Sequence, residues 1–262
     1  MSNTSILFFL AVLPVILILI FVYSNDKRKE PISLLLKLFG MGILSCFLVL
    51  AISDVLEKFL PFMQGASGDK SFLDTLLYAF IGAALIEELC KWLMLYLKGY
   101  NNKEFDEVYD IIVYSVFVSL GFAFFENILY VLGTQKLSIA ILRAVSAVPG
   151  HACDAIFMGY YLALAKQFSY QSKKQLERKN IILSILVPAV LHGIYDFCLM
   201  SGYEILIVTF IIFVAFLYTL SIKKLKEVAT SNKRIKETTK FCHICGSKVE
   251  GQFCSNCGAR QE

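Results

Sequence analysis

Long apolar blocks separated by short polar breaks dominate this chain. Seven blocks, near 5–23, 32–53, 72–97, 109–132, 138–165, 180–200 and 203–222, each run 19 residues or more. A bilayer core needs about 20 apolar residues per helix. The pattern therefore predicts an all-α, polytopic helical membrane protein with about seven transmembrane helices. An eighth span, or a re-entrant segment near Pro149-Gly150, also fits the pattern. The leader MSNTS carries no positive charge, and the apolar run after it exceeds a signal-peptide core, so the first block reads as a retained helix.

Composition agrees: 57% of residues are hydrophobic, 18% are charged and the mean hydropathy is +0.66. Those values exclude a disordered chain and an ordinary soluble domain. The net charge of +4 is a weak nucleic-acid signal, and no nucleic-acid partner is expected. Placement of the basic residues says more. Lys27, Arg28 and Lys29 follow the first block, Lys98 and Lys103 the third, Lys166, Lys173, Lys174, Arg178 and Lys179 the fifth, and Lys223, Lys224, Lys226, Lys233, Arg234 and Lys236 the seventh. The alternate loops hold fewer, Lys58 and Lys70 among Asp54, Glu57 and Asp69, and Lys136 alone. This alternation predicts a multi-pass protein of the cell membrane, N-terminus outside and C-terminus in the cytoplasm.

Three regions follow: a membrane domain over 1–222 with its chemistry in 72–200, a basic linker over 223–240, and a tail over 241–262. The tail holds Cys242-x2-Cys245-x8-Cys254-x2-Cys257, with glycine after the second cysteine of each pair. Four thiolates in two such turns can close a tetrahedron around zinc, and in a reducing compartment zinc is favoured over disulfides. All four positions would be filled, so this zinc ribbon reads as a structural module that docks a cytosolic partner, with His243 on its surface. The linker suits anionic membrane lipid or simple solvation. Cys46, Cys90, Cys153 and Cys198 lie in apolar blocks and read as small core residues.

Ionisable residues inside four consecutive blocks carry the functional signal. They are Glu87, Glu88 and Lys91; Glu126 with Asn127; Arg143, His151 and Asp154; and His192 with Asp196. Each such charge costs about 2.5–3.5 kcal/mol on insertion scales, so groups from four helices are expected to converge on one interior cavity. Spacing supports this. Glu87 and Lys91 are four apart and can pair, Phe122, Glu126 and Tyr130 form one stripe, and His192 and Asp196 are four apart, so the carboxylate can orient the imidazole. On one helix, Arg143 and His151 would lie two turns apart. Pro149 and Pro188 precede the two histidines and can disrupt the helices beside them. A carboxylate activating water opposite imidazoles that stabilise an oxyanion or bind a metal is a recipe for peptide hydrolysis. Intramembrane carboxylates and histidines also serve proton- or ion-coupled transport. A receptor signalling through its zinc ribbon is a third reading.

The ordered set Glu87-Glu88-x2-Lys91, Phe122-x3-Glu126-x3-Tyr130, Arg143-x7-His151-x7-Gly159 and His192-Gly-x-Tyr195-Asp196 resembles the motifs of PrsW-type intramembrane proteases, within the superfamily of CAAX prenyl endoproteases and Abi proteins. The resemblance implies endoproteolysis of membrane-associated protein substrates, in regulated proteolysis. It implies Glu87 as the water activator, with Glu88 and Lys91 holding and tuning it. Glu126 takes the place of a histidine in the CAAX branch, and His192 with Asp196 resembles that branch's His-x3-Asn oxyanion pair. Tyr130 and Arg143 take supporting places, and Asp154 has no assigned one. Both departures add negative charge. They leave open a catalytic divalent metal on Glu126, His151 and His192, beside a purely glutamic mechanism.

Overall fold

The structure, a computed structural model, describes residues 3–63 and 71–231 and, in the tail, 234–235, 240–241, 244, 248–249, 253 and 256–260. The membrane part is wholly helical. Among the described residues, six helices are long and apolar enough to cross a bilayer. They are α1 (Asn3–Asn25), α2 (Ile32–Glu57), α5 (Val108–Thr134), the pair α6 (Leu137–Val145) and α7 (Ala147–Tyr170), α8 (Lys174–Met200), and α9 (Glu204–Ser231). The apolar block at 72–97 is a seventh helical run of another kind. It comprises α3 (Phe72–Leu77), a wide π-helical stretch Tyr78–Leu85, α4 (Ile86–Leu95) and a second π stretch Tyr96–Tyr100. Such wide turns cluster at functional sites. This one places Phe80 on Gly193 of α8, where an added Cβ would come within 2.5 Å of the phenyl ring.

The centre of the bundle is α5, whose most apolar window is 89% buried, against 17% for α9. It begins with a capping box between Glu107 and Asp110 and stops at Gln135, whose φ of 50° lies in the left-handed region. Two glycines bring α2 onto it. A Cβ on Gly42 would lie 1.9 Å from the Val118 carbonyl oxygen, and one on Gly121 would lie 2.1 Å from that of Phe39. Membrane helices gain no hydrophobic drive from lipid, so this backbone-to-backbone approach supplies van der Waals contact instead.

Two expectations change. The block at 138–165 is not one helix but two, broken at Ser146 (φ −125°, ψ −56°). Pro149 falls in the first turn of α7, where its missing N–H costs little. That proline leaves the Val145 carbonyl without its helical donor, and the Tyr218 hydroxyl of α9 fills the place at 2.7 Å. Arg143 and His151 therefore sit on different helices rather than two turns apart on one. The linker also changes, since α9 continues to Ser231, nine residues past the apolar block. Lys and Glu are good helix formers, and Lys224 pairs with Glu227 at 3.0 Å. Beyond it, Ile235 is buried and donates its N–H to the Asp106 carbonyl at 2.7 Å. In the tail, β1 (Lys240–Phe241) pairs antiparallel with β2 (Lys248–Val249). Cys257 is exposed, while Cys242, Cys245 and Cys254 lie outside the described residues.

A second polar knot ties the α1–α2 turn to the start of α5. Glu30 is buried and accepts the Tyr114 hydroxyl at 2.5 Å. Burial pushes its carboxyl from 4.5 up to about 7, against the opposing pull of that hydrogen bond. The folded state thus holds this proton more tightly than the unfolded chain. Its contribution is complete below about pH 4.5 and is lost as pH rises through 7. Melting in detergent across pH 5–8 should show wild type losing stability relative to Glu30→Gln as pH rises; parallel curves would contradict this.

Candidate active site

Lys91 is the hub. Its side chain is 0% exposed, and its ammonium lies 2.8 Å from Glu88 Oε1, 3.3 Å from Glu87 Oε2 and 3.2 Å from His151 Nδ1. One helical turn of α4 places both glutamates within its reach; the spacing implied this for Glu87 alone. Phe122 of α5 offers its ring face 4.0 Å from the same nitrogen, so the motif phenylalanine is a cation–π platform. A buried ammonium left alone in an apolar bundle would be prohibitive; here every N–H direction has an acceptor or a π face.

Glu126 and His151 form the next layer. Glu126 Oε2 accepts from Arg143 at 2.5 Å and lies 3.1 Å from His151 Nε2. Arg143 also donates to Asn127 at 2.8 Å, and Asn127 donates to the Ala11 carbonyl of α1 at 2.9 Å. Tyr130 is half exposed and supports Arg143, whose guanidinium sits 4.2 Å from its ring centre. The break at Ser146 lets α6 lay Arg143 across α5 while α7 descends with His151.

From α8, His192 turns its Nδ1 to Glu88 Oε1 at 3.0 Å. Its other nitrogen, Nε2, lies 3.5 Å from Asp196 Oδ2 and 3.8 Å from Glu87 Oε2 and makes no hydrogen bond. Asp196 was expected to orient this imidazole; Glu88 does so instead, because it reaches across from α4 at bonding distance. The helix continues through Pro188 without a break.

These groups enclose a cavity of about 30 Å³, lined by Glu126, Arg143, His151, Asp154, His192 and Asp196 among others. That is room for a water molecule or two. Tyr195 also lines it, held by Ser146 at 2.7 Å. The sequence reading left Asp154 without a place. It proves to be buried at the cavity wall, three residues from His151 and so on the same face of α7. Tyr195 was visible within the fourth motif, but nothing in its spacing marked it as a wall residue.

Charge balance decides what the cavity can hold. Three carboxylates, Glu126, Asp154 and Asp196, line it with Arg143, and two more, Glu87 and Glu88, stand beside it on Lys91. The carboxyl groups outnumber the two permanent cations. Glu88 Oε2 and Asp154 Oδ1 are buried with no donor at all. Two groups bring ligand-type atoms within 4.8 Å of one another, Glu88–His151–Asp154–His192 and Glu87–Glu126–His151. Imidazole nitrogen with carboxylate oxygen is a donor set that suits zinc and similar divalent ions. The residues present therefore fit a divalent metal by the chemistry and closeness of their donor atoms.

A polytopic helical bundle with buried carboxylates and imidazoles beside a water-sized chamber has the parts an intramembrane hydrolase needs. The comparisons are specific. The family model described as "PrsW family intramembrane metalloprotease" matches residues 30–220. Curated relatives called "Protease PrsW" include one from Clostridioides difficile, 31% identical over 87% of this chain and 94% of its own length. Another, from Oceanobacillus iheyensis, is 38% identical over 81% and 91%, and one from Bacillus subtilis is 35% identical over 84% and 94%. No solved structure matches. The chain belongs to the PrsW family of intramembrane metalloproteases, and it is a PrsW-like peptidase of the membrane that acts on membrane-associated substrates within the bilayer. Neither the family nor these relatives supports the transporter or receptor reading.

Removing Lys91 strands two carboxylates and an imidazole. Lys91→Met should destabilise the folded protein by about 3–5 kcal/mol, the usual cost of breaking a buried ion pair from one side. Denaturation in detergent, compared with the exposed Lys37→Met control, reads this directly. A loss below about 1 kcal/mol would place Lys91 among weak surface-type pairs.

Proposed function

We propose that Glu87 is the carboxylate that meets the attacking water, in an endopeptidase cleaving membrane-associated proteins during regulated proteolysis. What supports this most is the convergence of α4, α5, α7 and α8 on one buried polar network, in which Lys91 joins Glu87, Glu88 and His151, Glu88 joins His192, and His151 joins Glu126. Glu87 is 12% exposed, whereas Glu88 and Lys91 are sealed. The exposed member of the pair can reach a water, and the sealed members hold it in place. Taking a proton from that water as it attacks the scissile carbonyl, and passing it to the departing amine, is general base and then general acid work. His151 and His192 stand at the wall where charge develops on the carbonyl oxygen, and Asp196 is their neighbour. Glu126, neutralised by Arg143, keeps His151 in place. A divalent metal among these residues, when bound, would supply Lewis-acid polarisation. Enclosure in the bundle keeps bulk water out, which strengthens each electrostatic contact.

The same reading places the family beside the CAAX and Abi proteins, with the N-terminus outside and the tail in the cytoplasm. It gives the tail a structural zinc on Cys242, Cys245, Cys254 and Cys257, and the paired strands β1 and β2 suit such a ribbon. A ribbon with no open ligand position is a docking module for a cytosolic partner. The basic end of α9 then lies near anionic headgroups, each positive charge adding about 1 kcal/mol.

A membrane-anchored reporter cleaved in proteoliposomes tests the assignment. Glu87→Gln should lower cleavage by about 10²–10⁴-fold, the usual weight of a positioned base, in protein that still melts cooperatively. Full cleavage by that variant would remove Glu87 from the chemistry.

A further inference from the structure

A substrate inside a bilayer meets a difficulty that a substrate in water does not. Presenting a scissile bond requires the chain around it to leave its helix, and each N–H so freed has no water to replace its lost acceptor. An enzyme working at membrane depth must therefore offer carbonyl oxygens of its own. A regular helix cannot, because each carbonyl inside it already accepts an N–H. A broken helix can.

The break between α6 and α7 lies at the chamber. Arg143, just before it, and Ala147, just after it, both line the cavity. Ser146 keeps helical bonds on both sides: its N–H donates to the Leu142 carbonyl at 2.9 Å, and its carbonyl accepts from the Gly150 N–H at 2.8 Å. Val145 differs. Four residues on stands Pro149, which has no N–H to give. The Val145 carbonyl accepts the Tyr218 hydroxyl at 2.7 Å instead, and Val145 is 60% exposed, on the outside of the bundle.

Tyr218 is a partner that can be displaced. It belongs to α9, whose most apolar window is 17% buried, against 33% for α8, 61% for the α6–α7 run and 89% for α5, the other helices that line the chamber. Of those walls α9 is held least. It reaches the chamber through Leu217, the neighbour of Tyr218, and rests Phe210 on Tyr195 with ring centres 5.1 Å apart. The Tyr218 hydroxyl also has a second acceptor, the Ser146 carbonyl at 3.2 Å. It can turn to that oxygen and leave Val145 free, so that neither group is stranded.

We propose that the Val145 carbonyl is a backbone-binding subsite for the substrate, in which an N–H of the unwound segment beside the scissile bond takes the place of the Tyr218 hydroxyl, entering on the α9 side of the chamber. The ligand is a peptide backbone that has left a membrane helix, and the contact is blind to its side chains. Tyr218 is a positioning residue that covers the acceptor until substrate arrives. The subsite requires that the chain be a peptidase; it does not require that Glu87 be the base.

The test is cleavage kinetics of the full chain in proteoliposomes, on a synthetic membrane-anchored peptide that wild type cleaves. Tyr218→Phe removes the competing hydroxyl and should lower KM about 2–10-fold, the weight of one hydrogen bond, with a smaller change in kcat. The peptide is then made with single backbone amides beside the scissile bond replaced by esters, which have no N–H. At one position the ester should abolish the gain and bring the KM values of wild type and Tyr218→Phe together. An unchanged or raised KM in folded Tyr218→Phe, or a gain that survives every ester, overturns the subsite and leaves the peptidase assignment and the role of Glu87 untouched. Should Tyr218→Phe not melt cooperatively in detergent, Tyr218→Met, which also lacks the hydroxyl, carries the same expectation. If neither variant folds, the hydroxyl is a structural cap and the proposal fails.

Discussion

Burying one lysine is the constraint on which the rest of this molecule depends. An ammonium in the middle of an apolar bundle is tolerable only if several acceptors reach it. Lys91 finds two on its own helix and one on α7, and it rests on a ring from α5. Those acceptors are the chemical groups of the site. The same contacts that let the lysine be buried therefore fix the orientation of Glu87, Glu88 and His151, and through Glu88 that of His192. Electrostatic stability and the geometry of the polar site are one network rather than two.

Around this hub the fold supplies irregularity where it is needed. The wide turn ahead of α4 seats Phe80 against Gly193, the residue after His192. The break at Ser146 turns α6 so that Arg143 crosses to Glu126. The carbonyl freed by Pro149 is taken up by Tyr218. The wide turn and the break each lie beside a charged or imidazole side chain of the site, and the backbone group freed by Pro149 has a partner. Regular packing elsewhere, such as the contact of Gly42 with α5, makes the frame rigid enough to hold these deviations.

Much of this was legible in the sequence, because membrane burial makes polar residues conspicuous. The apolar blocks located α1, α2, α5, α8 and α9. The spacing of Glu87 with Lys91 implied their pairing, and the concentration of ionisable residues between 87 and 196 implied one chamber. What stayed hidden depends on contacts between helices. Periodicity treats 138–165 as one span, since Ser146 is no stronger a breaker than many serines inside membrane helices. The π turns have no compositional mark. Asp154 looked unplaced because its relation to His192 is set by how α7 lies against α8, and the choice of Glu88 over Asp196 as the partner of His192 Nδ1 has the same origin.

The convergence of separate helices on one electrostatic network is most directly tested by a double-mutant cycle between Glu88 on α4 and His192 on α8. Stabilities of wild type, Glu88→Gln, His192→Gln and the double variant, measured by denaturation in detergent, give the coupling between the two side chains. The structure predicts a coupling of about 1–3 kcal/mol, as expected for buried groups in hydrogen-bonding contact. Additivity within about 0.5 kcal/mol, the behaviour of distant independent sites, would mean that the two helices do not meet there and would contradict the account.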